Sequence, residues 1–159
     1  MKSNKLLLIA IALGCFGLIG GALYFQIVEE MLPCPWCVIQ RYLFLTIGII
    51  CLISACLPAA GMRRGTLLAA LVALGGVGAS GWHNWIMAHP KISCGLDPLE
   101  TSLNHIFPAK VLPIVFRADG ICTTPYDPFL GLQLPQWALL WFIGITIVLA
   151  LLALRRKTV

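Results

Sequence analysis

The chain has little charge. Asp, Glu, Lys and Arg make up only 11% of it, against about 25% in soluble proteins. Acids are the scarcer sign, six residues in 159. The deficit excludes an ordinary soluble domain. The net charge of +5 comes from sparse, scattered bases rather than a stripe, so nucleic acid is not read as a partner. No Gly-x-Gly-x-x-Gly fingerprint for NAD or flavin is read in the chain either.

What fills the space is apolar: 60% of the residues are hydrophobic. A helix needs roughly 20 apolar residues to cross a bilayer, and four runs are long enough. They cover about 6–28, 38–57, 66–88 and 136–154. The third is rich in Gly and Ala, which suits close helix packing in lipid. The first follows Lys2 and Lys5 as a signal peptide would. Its apolar stretch is longer than a signal core, and no small-x-small cleavage site follows, so it is read as a span. The expected fold is an all-α integral membrane protein of 159 residues in a single membrane domain, a four-helix bundle.

The few charges are ordered. Lys2, Lys5, Arg63, Arg64, Arg155, Arg156 and Lys157 fall on one side of the four runs, and every acid falls on the other. The positive-inside rule then predicts cytoplasmic termini and a cytoplasmic turn at 61–65. Two segments face out, about 29–37 and 89–135. Within the second, "DPLETSLNHIF" predicts a short amphipathic helix on the membrane surface. Asp97 would be its cap and Pro98 its first residue, with Leu99, Leu103, Ile106 and Phe107 on one face.

Seven cysteines are present. Cys15, Cys51 and Cys56 lie within spans and are expected as small buried hydrophobes. Cys34, Cys37, Cys94 and Cys122 lie in the outward segments, where an even number reads as two pairs. Structural clips, a metal site and redox dithiols are the alternatives. Zinc favours repeated Cys-x-x-Cys knuckles, and only Cys34 and Cys37 have that spacing, so no metal is expected. A clip is also a poor reading of Cys34 and Cys37, because so short a loop contributes little closure entropy. A dithiol that opens and closes suits them better.

The stretch "LPCPWCVIQRY" supports this. Pro35 pushes Cys34 toward an extended conformation and favours the first helical position. Cys34 then becomes the N-cap, and Cys37 falls in the first turn, where amide N–H groups and the positive dipole end favour a thiolate. Arg41 lies one turn deeper on the same face. It breaks the charge pattern, as a cation serving Cys37 or an oxygen-bearing cofactor would.

These residues resemble the DsbB family of membrane disulfide-generating proteins. The likeness rests on four spans, Cys-x-x-Cys before the second, the arginine, a second cysteine pair in a long outer loop, and "DPFLGLQLPQW" leading into the last span. It implies a protein-disulfide oxidoreductase of the bacterial inner membrane. Such an enzyme oxidises a periplasmic thioredoxin-like protein of the DsbA type and passes the electrons to a quinone, ubiquinone or menaquinone. By the same resemblance Cys94 takes the mixed disulfide with the partner, Cys122 is its mate, and Cys34 and Cys37 form the membrane-proximal pair. Cys37, Arg41 and His83 would meet the quinone. Two rivals remain: a vitamin K epoxide reductase-like enzyme, whose Cys-x-x-Cys lies near a later span, and a non-enzymatic membrane protein with stapled outer loops.

Overall fold

The computed structural model describes residues 2–89, 96–122 and 128–154. Cys94 and Asp127 lie outside them. Among the described residues seven helices occur: α1 (Lys2–Val28), α2 (Pro35–Cys56), α3 (Ala59–Ala88), α4 (Leu96–His105), α5 (Phe107–Val111), α6 (Pro113–Phe116) and α7 (Leu134–Leu154). No strand forms among the described residues. α1, α2, α3 and α7 are long and apolar enough to cross a membrane. They pack in the order α1–α2–α3–α7.

The core runs along the seams between these four. Leu8, Ala12 and Cys15 of α1 meet Phe44, Ile47 and Cys51 of α2, Ala69 and Ala73 of α3, and Phe142, Ile145 and Leu149 of α7. Phe44 and Phe142 stack with ring centroids 4.0 Å apart. Gly76 makes room for that stack: a Cβ there would run into the Phe142 ring. The run Gly76–Gly81 does have Gly-x-Gly-x-x-Gly spacing, contrary to the reading of the sequence. It lies inside α3 with no strand before it, so it is a packing feature and not a dinucleotide fingerprint.

Three expectations need correction. The segment 61–65, expected as a turn, is helical, because Pro58 caps α3 and its carbonyl accepts from Met62 N at 2.8 Å. Only Leu57 and Pro58 separate α2 from α3. Gly65 lies against Ser54 of α2, which lets the two helices close at so short a joint. Second, Cys56 is exposed, unlike Cys15 and Cys51, because it ends α2 and leaves the packed seam.

Third, the outer helix does not carry the face expected of it. α4 starts at Leu96 and ends at His105, so Ile106 and Phe107 belong to the next element. Pro108 explains the break. Its ring would meet the Asn104 carbonyl in a continuous helix, and it has no N–H to donate. Pro113 separates α5 from α6 in the same way. Leu103 is buried, while Ile106 and Phe107 stay exposed.

Candidate active site

The site is built on the start of α2. Cys34 is its N-cap, in an extended conformation at φ −77 and ψ 165, and Pro35 is the first helical residue. Cys34 Sγ accepts from Cys37 N at 3.4 Å. Capping therefore turns both cysteines inward, and Cys34 Sγ donates to Cys37 Sγ at 3.1 Å. Both rest on Ile86 of α3, together with Trp36.

Cys122 comes from far along the chain to the same place. It packs against Cys34 and Ile86 and is buried. Cys34 thus touches Cys37 on one side and Cys122 on the other. Hydrogen bonding to Cys122, then to Cys37, and then burial push the Cys34 thiol well above its ordinary range.

α3 contributes His83, which is 1% exposed. Its Nε2 is 3.5 Å from Cys34 Sγ, and its Nδ1 is 3.2 Å from Gln40 Nε2 of α2. With the amide oriented this way Gln40 donates to Nδ1. The ring proton then sits on Nε2, which faces the Cys34 sulfur, and the ring also hydrogen-bonds the backbone of Cys122. Sequence reasoning placed His83 near a quinone and overlooked Gln40. A polar residue inside an apolar span was the available signal. It also missed that a histidine stands beside the cysteines. Donor atoms of Cys34, Cys37 and His83 lie within 4.8 Å of one another, a spacing that a soft metal ion also accepts.

Arg41 is 6% exposed. Its Nη1 donates to Gln26 Oε1 at 2.7 Å and to the Val115 carbonyl at 2.9 Å, and its Nη2 reaches the Ala22 carbonyl at 3.4 Å. The cation therefore ties α1, α2 and the outer loop together. Gln26 also donates to the Ile114 carbonyl at 3.0 Å, so the amide belongs to the same knot. A buried arginine needs such partners, because an unpaired charge there costs several kcal/mol, on the order of a lost buried ion pair.

A cavity of about 460 Å³ opens beside these groups. Its polar lining includes Cys34, Cys37, Gln40, Arg41, His83 and Cys122, and Phe25, Phe44 and Trp141 are among the apolar walls. The "DPFLGLQLPQW" stretch borders it through Phe129, Leu130 and Trp137. Trp137 Nε1 donates to the Phe129 carbonyl at 2.9 Å, and Phe129 meets Phe25 edge-on, which fixes this rim.

Fold and site together define a helical membrane protein with a cluster of three cysteines, Cys34, Cys37 and Cys122, at one end of its bundle. The profile of the family described as "Disulfide bond formation protein DsbB" matches residues 4–152, and the chain belongs to that family. It is 54% identical to Disulfide bond formation protein B of Herminiimonas arsenicoxydans over 158 residues, covering 99% of this chain and all of that protein. Disulfide bond formation protein B 1 of Pseudomonas syringae pv. syringae (strain B728a) is 45% identical over 146 residues, 90% of this chain and 85% of that protein. Disulfide bond formation protein B of Ralstonia nicotianae is 41% identical over 158 residues, 99% of each. The family's part in disulfide formation makes the role of the chain a redox one.

Proposed function

We propose that the chain oxidises a periplasmic DsbA-type dithiol protein and delivers the electrons to a membrane quinone. The observation that carries this reading is the position of Cys34. It touches both Cys37 and Cys122, beside an apolar cavity large enough for a ring-bearing ligand. A partner thiolate attacks the Cys94–Cys122 disulfide, the partner leaves with its own disulfide formed, and two loop thiols remain. Cys122 then attacks Cys34 in the Cys34–Cys37 disulfide, Cys37 leaves as thiolate, and Cys94 closes back on Cys122. The loop pair is reoxidised and the membrane pair reduced. His83 Nε2 lies 3.5 Å from the Cys34 sulfur, within reach of the exchanging pair.

The cavity fits a quinone by its donors as well as its walls. Gln40 and Arg41 line it with hydrogen-bond donors for a carbonyl oxygen, and Cys37 offers it a sulfur. When bound, a quinone supplies an acceptor for two electrons and two protons. Such an acceptor is needed. A DsbA-type dithiol has a potential of about −120 mV, so a cysteine pair near −200 mV would oxidise it uphill by roughly 80 mV, or about 4 kcal/mol. The charge order supports an orientation with the termini in the cytoplasm and the redox cysteines on the periplasmic side of the inner membrane.

The test is quinone reduction by the purified protein in detergent, with a reduced DsbA-type protein as donor. Cys37→Ala is expected to abolish turnover while still forming the mixed disulfide with the partner. Steady quinone reduction by Cys37→Ala would overturn the reading.

A further inference from the structure

We propose that Gly120 and Asn104 form a latch that seats Cys122 on Cys34, making both positioning residues for exchange between the two cysteine pairs. The inference rests on the relay proposed above. Asn104 closes α4 with its side chain aimed at the segment before Cys122. Its Nδ2 donates to the Ala118 carbonyl at 2.9 Å, and its Oδ1 accepts from Ala118 N at 2.8 Å. An amide side chain thereby pairs with a peptide group as a neighbouring strand would. Ala118 is fully buried and packs with Val38 of α2 and with Phe116. Phe116 in turn stacks on Tyr42 of α2, centroids 4.5 Å apart.

The next two residues are held from the other side. Asp119 N and Gly120 N both donate to the Pro33 carbonyl, at 3.1 and 3.0 Å. Pro33 immediately precedes Cys34, so the bonds join the two cysteine-bearing segments backbone to backbone. Gly120 is what permits this approach. A Cβ there would collide with the Leu32 carbonyl and press on Pro33, and neither is a side chain that can turn aside. Gly120 is not among the residues with positive φ, so the requirement is for space and not for a left-handed backbone. Cys122 follows two residues later, against Cys34. As a sequence, Asp119-Gly120 carries only a turn signal. The structure assigns that turn a docking function.

The latch predicts a high effective concentration of Cys122 at Cys34. It is measured in the full chain carrying Cys37→Ala and Cys94→Ala, so that only Cys34 and Cys122 remain at the site. The protein is equilibrated in detergent with reduced and oxidised glutathione. One glutathione disulfide and the two protein thiols give the Cys34–Cys122 disulfide and two glutathione thiols, and the ratio is read by thiol alkylation and mass spectrometry.

Gly120→Ala is expected to lower that effective concentration by about tenfold or more, and Asn104→Ala by a smaller factor. Gly75→Ala, where a Cβ meets nothing within 4 Å, should leave it unchanged. In a chain that keeps Cys34 and Cys37, Gly120→Ala should leave their own glutathione equilibrium unchanged. An unaltered Cys34–Cys122 equilibrium in Gly120→Ala overturns the proposal. So does an equal fall of both equilibria, which would mark general damage to the fold. Failure of the relay would appear instead as quinone reduction surviving Cys37→Ala, and would leave these equilibria as predicted.

Discussion

At the scale of single residues, Cys34 and Cys37 are not equivalent. Cys34 sits outside the helix as its cap, while Cys37 lies in the first turn and borders the cavity. Hydrogen bonds to Cys122 and Cys37, with burial, raise the Cys34 thiol well above its ordinary range. A raised thiol stays protonated at neutral pH and becomes nucleophilic only as pH climbs. In the fully reduced protein Cys34 should therefore alkylate more slowly than a free thiol at pH 8, with a rate still rising above pH 9. Iodoacetamide labelling followed by peptide mass spectrometry checks this; a plateau below pH 9 would contradict it. Gln26 gives a second residue-scale prediction. Gln26→Ala removes the 2.7 Å acceptor from buried Arg41 and should cost about 1–3 kcal/mol, read as a lower denaturation midpoint in detergent. Gln26→Glu keeps an acceptor and should hold the midpoint. The cap and the proline were legible in the sequence because capping is local chemistry. Gln26 and Gln40 were not, since their partners come from other helices and only the fold brings them together.

At the scale of elements, small residues decide how closely helices approach. Gly75 and Gly76 are neighbours in α3 with opposite surroundings: open space at one, the Phe142 ring at the other. Phe142 is fully buried and stacked on Phe44, so it cannot yield. Gly76→Ala should destabilise by about 1–3 kcal/mol through overpacking. Gly75→Ala should change stability by no more than about 1 kcal/mol, in the stabilising direction that helix propensity gives. Thermal unfolding of the two variants in one detergent separates them. The long helices were legible because twenty apolar residues leave few alternatives to a span. Their ends were less so. The apolar pattern placed the third span from 66, whereas backbone hydrogen bonding starts α3 at Ala59. In the outer loop the amphipathic pattern ran to Phe107, and Pro108 directly after it ended the helix early, at His105. The arrival of Cys122 at Cys34 had no local signature at all, because it depends on Asn104 and Pro33 holding a segment far from both in sequence.

At the scale of the whole molecule, the bundle separates two ends by charge and by chemistry. Cys56 reports on the end away from the redox cysteines, being exposed where α2 gives way to α3. A membrane-impermeant maleimide should leave Cys56 unlabelled in spheroplasts and label it in inverted membrane vesicles. Labelling in spheroplasts would reverse the proposed orientation. At the opposite end, the polar groups around the cysteines open into an apolar cavity, and under the proposed function the bundle joins an aqueous thiol reaction to a lipid-soluble acceptor there. The central claim is that electrons leave the cysteines through that acceptor. The most direct measurement is acid-quenched thiol trapping of Cys34, Cys37, Cys94 and Cys122 in membranes with and without quinone. All four are expected to be oxidised when quinone is present and to accumulate as free thiols when it is depleted. Cysteines that stay oxidised without quinone would mark a stapled structural loop and contradict the account.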